Sequence, residues 1–361
     1  MLKTKSTHSL RAIVGASVLA LSVTGMSAQT SAFARDLNIA ETGSTLLYPL
    51  FNLWVPAYTH SHPQLRINTQ GTGSGTGISE AISGVAQIGA SDAYMSNMQV
   101  KQHPNVLNIP LAISAQTVNY NIPGLNKIHL KLSGPVLAGI YDNHIRYWDA
   151  PAIAKLNPGV HLPHHLITPI HRTDGSGDTF IFSQYLSFST PAWNSRVGYG
   201  TTISWPAVPG GLGALGNPGM VQSAAQTRYS IAYIGVSFAK EVARAHLGTA
   251  LLKNRAGRFL LPTKKTVEAA ANQLVNKTPK DERISLVFAP GAQSYPIINY
   301  EYAIVNDHQA NPQMAAALRD FLNWTVDLRG GNSRHFLRQV RFIALPARIS
   351  ALSRSQIAKI H

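Results

Sequence analysis

The residues best suited to chemistry lie in one short run, Arg172–Thr179. The run follows a strand-like segment, residues 165–171, and precedes a helix-like one, residues 180–186. This run places a guanidinium, small hydroxyl groups and two glycines at a helix start, and such groups can bind an oxyanion. The N–H groups there carry partial positive charge, and the glycines let a ligand come close. The same residue types also build an ordinary strand–turn–helix with capping side chains, so this run alone leaves both interpretations open.

Two further elements of this kind occur earlier in the chain. Residues 41–45 precede an apolar stretch with helical spacing, and the glycine-rich residues 70–77 follow a strand-like segment. A short strand then ends in the polar pair Ser91 and Asp92. Strands that alternate with helices predict an α/β fold, in which ligands sit at the carboxyl ends of strands and near helix N-termini. Three elements of this type favour an anion site over accidental capping.

The N-terminus predicts an exported protein. Basic residues precede the apolar residues 12–25, and Ala32–Ala34 has the small-x-small form of a cleavage site, so residues 1–34 are interpreted as a secretory signal peptide. The chain has no cysteine, so no lipid anchor is expected. We therefore expect a soluble protein in the periplasm.

The charge balance is strongly basic, with 31 Lys and Arg against 16 Asp and Glu. The basic residues are scattered and form no Lys/Arg-rich block, so no nucleic-acid partner is expected. The shortage of carboxylates has a second implication, because paired carboxylates lose their stabilising effect when acid protonates them. We hypothesise that the protein works in an acidic extracytoplasmic space.

Motifs for the common catalytic and cofactor sites are missing from the sequence. There is no P-loop motif, no nucleophile elbow around Ser74 or Ser176, no dinucleotide fingerprint and no standard metal motif. We therefore expect no catalytic residues, no metal and no cofactor. Two alternatives stay open for the anion cradle beside the function that the family resemblance below implies: a binding protein for another oxyanion or an organic phosphate, and a phosphatase-like enzyme that uses the same cradle.

Two structural expectations concern proline and glycine. Pro56 is predicted to kink or end the helix that follows Thr45, because proline lacks the N–H that a helix interior needs. The Gly/Pro-rich residues 208–219 are predicted to form a loop.

Several ordered motifs carry a resemblance to a known family. They include residues 42–45 with Pro49, 70–74, 89–92, 172–177 and 231–235. Over essentially the whole chain after the signal, the sequence resembles the periplasmic phosphate-binding proteins of bacterial phosphate ABC transporters. The resemblance implies high-affinity binding of inorganic phosphate, delivery to a membrane permease for import, and a monomer when free.

The resemblance also implies a fold of two α/β lobes joined by hinge strands, with the ligand in the cleft between them. Lobe I would comprise residues 35–117 plus 295–361, and lobe II residues 118–294. The chain would cross between the lobes near residues 116–118 and 295–297.

The family's ligand residues carry over to matching motif positions. Asp92 would accept a hydrogen bond from a protonated ligand oxygen, which phosphate has and sulfate lacks. Arg172 would be the charge partner, held by Asp174. The implied phosphate ligands are Thr45, the backbone N–H of Leu46, Ser74, Asp92, Arg172, Ser176, the backbone N–H of Gly177 and Asp178, with Asp174 and Thr179 in support.

Asp178 departs from the best-known members, which have Thr there. Its backbone N–H can still donate, but its carboxylate would repel a dianion or accept a hydrogen bond from a protonated ligand oxygen. Alternatively, the side chain points away and caps the helix. We favour capping, because a carboxylate beside an anion is unfavourable unless a proton is shared. Thr179 is then expected to supply the missing hydroxyl.

Overall fold

The computed structural model describes residues 37–361. The predicted signal peptide lies outside the described residues. None of the helices in the described part of the chain combines the length and the apolar character that a membrane crossing requires.

Strands and helices alternate along much of the chain, as the sequence predicts. Twelve strands lie within residues 37–361. They are β1 Leu37–Gly43, β2 Leu65–Gln70, β3 Ile88–Ser91, β4 Val106–Asn121, β5 Lys131–Leu132, β6 Thr168–Arg172, β7 Leu212–Ala214, β8 Ser230–Gly235, β9 Gly248–Thr249, β10 Leu251–Lys253, β11 Phe259–Leu260 and β12 Ile298–Asn306.

The same residues form thirteen α-helices and two short 3₁₀ turns, Val236–Phe238 and Val275–Lys277. The helices are α1 Tyr48–Thr59, α2 Ser74–Ser83, α3 Asn97–Gln102, α4 Gly134–Tyr141, α5 Pro151–Ala154, α6 Gly177–Ser189, α7 Pro191–Arg196, α8 Gly216–Gln226, α9 Ala239–Arg244, α10 Lys264–Asn272, α11 Pro312–Thr325, α12 Arg334–Leu337 and α13 Ala347–Ile357.

One long strand, β4, connects two halves of the main sheet. The strand order is β2-β1-β3-β12-β4-β8-β6-β7, with β9 also paired to β4. Residues 106–115 of β4 pair with β12, whereas residues 116–121 pair with β8, both antiparallel. On either side of this junction the strands β1, β2 and β3 are parallel to one another, as are β6, β7 and β8. The predicted limits of the two lobes stay a prediction, although the change of partner within β4 falls at the predicted crossing.

The core packs helices onto this sheet through large apolar side chains. In α1, the ring of Phe51 lies 6.3 Å from that of Phe321 in α11, and the ring of Trp54 lies 6.5 Å from that of Trp324. Such tilted and edge-to-face aromatic contacts add to the free energy gained by removing the rings from water.

The prediction that Pro56 could end its helix is wrong. Helix α1 continues through it to Thr59. The ring of Tyr58, beyond the proline, packs 5.0 Å from Phe321 and holds the last turn in place. Pro56 itself lies on the exposed side of the helix. Burial of the apolar face therefore outweighs the loss of one backbone hydrogen bond.

The loop prediction for residues 208–219 is also wrong in its second half. Strand β7 adds to the sheet edge beside β6, and α8 begins at Gly216. Pro218 is tolerated because the first turn of a helix leaves its N–H groups without intrahelical partners. This segment consequently delivers Asn217 to a defined position.

Candidate functional site

The predicted polar motifs converge at the carboxyl ends of the parallel strands. On one side, β1 leads into Ser44 and Thr45, and β3 leads into Asp92. On the other side, β6 ends at Arg172, and α6 begins five residues later. We call the first side the Asp92 wall (Ser44, Thr45, Ser74, Asp92) and the second the Arg172 wall (Arg172, Asp174, Gly177, Asp178).

Hydroxyl groups orient the carboxyl group of Asp92. Ser44 Oγ donates to Asp92 Oδ1 and accepts the N–H groups of Leu46 and Leu47, both at 3.0 Å. Ser74 Oγ accepts the N–H of Asp92 at 3.2 Å and lies 3.4 Å from Asp92 Oδ2. The helix starts of α1 and α2 therefore determine the position of one buried carboxyl group.

A second carboxyl group, Glu301 on β12, lies next to Asp92 and accepts a hydrogen bond from Asn299 Nδ2 at 3.2 Å. Burial, with the charge of Asp178 in support, raises the pKa of Asp92 to about 7. Burial and the neighbouring Asp92 raise the pKa of Glu301 well above its ordinary value. Two adjacent buried carboxyl groups cannot both ionise at low cost, so this pair holds a proton between them.

On the Arg172 wall, one buried guanidinium contacts two carboxylates. Arg172 Nε donates to Asp174 Oδ1 at 2.7 Å, Nη2 donates to Asp174 Oδ2, and Nη1 donates to Asp178 Oδ2 at 2.8 Å. The Asp174 and Asp178 contacts together hold the pKa of Arg172 above its ordinary value, despite burial. The backbone N–H of Arg172 donates to the Tyr233 hydroxyl at 2.9 Å, which anchors the end of β6 to β8.

The two walls touch each other directly. A Cβ added at Gly177 would lie 2.5 Å from Ser74 Oγ and would also meet Asp92, so only glycine fits there. The N–H of Gly75 donates to the carbonyl of Gly175 at 2.7 Å. An ion that enters between Arg172 and Asp92 therefore has to separate these contacts.

A solvent cavity of about 790 Å³ lies beside this contact. Gly75 at the start of α2 and Phe180 in the first turn of α6 line it, together with Tyr94, Tyr199 and Arg283. The cavity thus reaches the site from solvent at the edge where the two walls meet.

The structure brings the sequence-predicted residues into one cluster, with one correction. Asp178 does not cap α6, because Ser176 Oγ accepts the N–H of Thr179 at 3.1 Å and is the N-cap. The hydroxyl groups of Thr179 and Tyr233 form a hydrogen bond of 2.7 Å. The Leu46 N–H donates to Ser44 Oγ at 3.0 Å.

Sequence reasoning missed two amide side chains that donate to Asp178, one of which, Asn217, also joins the two walls. Asn217 Nδ2 donates to Thr45 Oγ1 at 3.0 Å and to Asp178 Oδ2 at 2.6 Å, and its N–H also donates to Thr45 Oγ1, at 3.1 Å. Gln116 Nε2 donates to Asp178 Oδ1 at 2.9 Å. Gln116 was identified only as a crossing point. Asn217 lay in the segment interpreted as a loop, where the pair Asn217-Pro218 after a glycine was the signal of a helix start.

Comparison with known proteins agrees with this fold. A family model described as a PBP superfamily domain matches residues 27–328. The phosphate-binding protein PstS of Methanocaldococcus jannaschii is 35% identical, over 80% of this chain and 78% of the relative. PstS of Pasteurella multocida is 34% identical, over 79% of this chain and 81% of the relative.

A solved structure supports the fold. The high affinity periplasmic phosphate-binding protein PfluDING, bound with phosphate, superimposes with a TM-score of 0.67 at 20% identity, covering 88% of this chain and 93% of that chain. That likeness concerns the two-lobed α/β fold alone, which confirms the predicted fold class. The chain belongs to the PBP superfamily and, within it, to the phosphate-binding proteins of phosphate ABC transporters.

Proposed function

We propose that this protein binds inorganic phosphate outside the cytoplasm and delivers it to the permease of a phosphate ABC transporter for import. The observation that carries the proposal is the opposition of Arg172 and Asp92, a buried cation and a buried proton-sharing carboxyl group on two walls that meet. The names of the relatives support phosphate as the ion and binding, rather than catalysis, as the activity.

The proposed ligand shell consists of neutral donors around one charged pair. Hydroxyl and N–H groups at the starts of α1, α2 and α6 replace the hydration shell of a tetrahedral oxyanion, because these groups are fixed by the helices and need little reorganisation. The shell comprises Thr45, the Leu46 N–H, Ser74, Asp92, Arg172, Ser176, the Gly177 N–H and Asp178, with Asp174 and Thr179 in support.

Asp92 supplies selectivity in this proposal. Its carboxyl group faces Gly177 across the contact between the walls and is buried. Phosphate carries a proton at neutral and acidic pH and can donate it to Asp92, whereas sulfate has none. When the proton that the pair shares lies on Glu301, an unprotonated ligand oxygen against Asp92 would leave a buried acceptor without a partner, which is unfavourable.

The proposal extends to the location and the partners. A signal peptide over residues 1–34 would export the protein to the periplasm without a lipid anchor, where it would act as a monomer. The lobes proposed for residues 35–117 plus 295–361 and for 118–294 would separate at the contact between the walls and close on the ion. The closed form would then present a surface to the permease.

Calorimetric titration of the purified protein tests this function. We expect saturable phosphate binding at both neutral and mildly acidic pH, with no displacement by a large excess of sulfate. Arsenate, molybdate and an organic phosphate serve as further competitors. Lack of phosphate binding, or stronger binding of molybdate or the organic phosphate, would overturn the proposal; release of phosphate from an ester substrate would identify an enzyme instead.

A further inference from the structure

The carboxylate of Asp178 lies inside the proposed anion site. The residue is only 1% exposed. Its Oδ2 accepts hydrogen bonds from Arg172 Nη1 at 2.8 Å and Asn217 Nδ2 at 2.6 Å, and its Oδ1 accepts one from Gln116 Nε2 at 2.9 Å. Three donors, one of them cationic, form the kind of environment that proteins offer to a bound anion. The carboxylate of Asp178 therefore occupies an anion-binding position within the site, where donors from β4, β6 and α8 hold it.

The groups around Asp178 are short of positive charge. Among the described residues that contact Asp178, Arg172 is the one cation, and Asp174 already takes two of its donor nitrogens. A phosphate ion adds at least one negative charge to this set. The titratable groups that face or adjoin Asp178 are Arg172 at the end of β6, Asp174 in the loop after it, Asp92 after β3, Glu301 on β12 next to Asp92, and Tyr233 on β8.

Ligand and Asp178 therefore require the same donor. Arg172 Nη1 cannot make a short contact with Asp178 and also neutralise a second anion without a strong repulsion between the two anions. Resting on the phosphate-binding function above, we propose that Asp178 competes with phosphate for Arg172 and yields by taking a proton, so that binding is coupled to proton uptake and strengthens as the pH falls.

The proton comes from solvent and neutralises the carboxylate. A neutral carboxyl group loses its attraction to Arg172, and its new O–H can donate to a ligand oxygen. Arg172 Nη1 and the amides of Gln116 and Asn217 then become available to the ion. Burial raises the pKa of Asp178, against the opposing influence of Arg172 and the two amides, so that proton uptake occurs closer to neutral pH than for an ordinary aspartate.

The test compares the protein with Asp178→Asn by calorimetry. Titrations of phosphate in buffers of different ionisation enthalpy, at about pH 5.5 and about pH 7.5, count the protons taken up on binding. Phosphate's own protonation is common to both proteins and cancels in the comparison. Asp149→Asn is the matched control, because Asp149 is a partly exposed aspartate that pairs with His164 away from both walls. Asp178→Thr is measured in parallel, so that the comparison survives if one variant does not fold.

We expect the protein to take up about one proton more than Asp178→Asn near neutral pH. Linked uptake of one proton changes affinity about tenfold per pH unit, so a variant that matches the protein near pH 5.5 should bind up to about a hundredfold more tightly than the protein near pH 7.5. Asp149→Asn should behave as the protein does. Equal proton uptake and equal pH dependence in all proteins would overturn the role of Asp178 alone. Absence of phosphate binding in every protein at every pH would instead overturn the proposed function.

Discussion

The two walls of the site use buried carboxyl groups in opposite ways. On the Arg172 wall, Asp174 and Asp178 share one guanidinium, whose contacts lower the pKa of Asp174 against the effect of burial. On the Asp92 wall, Asp92 and Glu301 lie side by side, and burial raises the pKa of both carboxyl groups. Asp174 thus depends on ion pairing, and the pair of Asp92 and Glu301 depends on protonation. The difference teaches that acid should act on Asp174 and on this pair with opposite sign.

The largest expected effect is the loss of Arg172. Arg172→Ala leaves two carboxylates buried without their cation, and breaking a buried ion pair in this way costs about 3–5 kcal/mol in the free energy of unfolding. Phosphate binding should also disappear. Chemical denaturation and calorimetry measure both.

Arg196→Ala is the matched control for that experiment, because Arg196 pairs with Asp142 while its own side chain is half exposed. Removal of an exposed pair should change the free energy of unfolding by less than about 1 kcal/mol. Equal effects of the two substitutions would contradict the distinction between a buried and an exposed pair.

The next effect is on the pH dependence of stability. Burial raises the pKa of Glu41 to about 8, of Glu282 to about 9 and of Asp92 to about 7, so the folded protein retains protons that the unfolded chain loses above about pH 4.5. The free energy of unfolding should therefore fall as pH rises from about 4.5 towards 8, by about 1.4 kcal/mol per pH unit for each retained proton. Denaturation at several pH values measures the slope.

Glu301→Gln sharpens this prediction for the Asp92 wall. An amide keeps a donor for Asp92 but cannot ionise, so the variant should have a shallower slope and match the protein near pH 5. An unchanged slope would show that the pair does not hold a proton. Arg172 lowers the pKa of Asp174 against the effect of burial. The ionised Asp174 therefore stabilises the folded protein, and this stability is lost only when the pH falls below the ordinary pKa of an aspartate. A stability maximum at mildly acidic pH would fit the hypothesis of an acidic working compartment.

The smallest expected effect concerns selectivity. Asp92→Asn replaces the acceptor for the ligand's proton with a group that can also donate. The affinity for sulfate should then rise about tenfold, because a tenfold change corresponds to the free energy of about one hydrogen bond to a buried group. Calorimetric titration with sulfate measures the change, and Asp149→Asn should leave sulfate rejection intact. Unchanged rejection in Asp92→Asn would remove Asp92 from its selective role.

Much of the site could be predicted because its residues sit in local motifs. Ser74 at the start of α2, Asp92 after β3 and Arg172 at the end of β6 each follow from a strand end or a helix start. Asn217 could not be placed in this way, because its function depends on β7 pairing with β6 and so aiming α8 at Asp178. Glu301 reaches Asp92 only because β12 pairs with β3.

The residues themselves determined the family, the alternation of strands and helices, and the choice of polar groups at the strand ends. These follow from patterns that repeat over a few residues and need no distant partner. Tertiary structure alone decided what the Asp178 carboxylate does. Sequence reasoning favoured a cap, since capping is a local property of the helix start. The competing donors come from Arg172, Gln116 and Asn217, which lie up to 62 positions away in the chain. Only the fold brings them to one buried carboxylate, where charge-assisted hydrogen bonds outweigh a single cap.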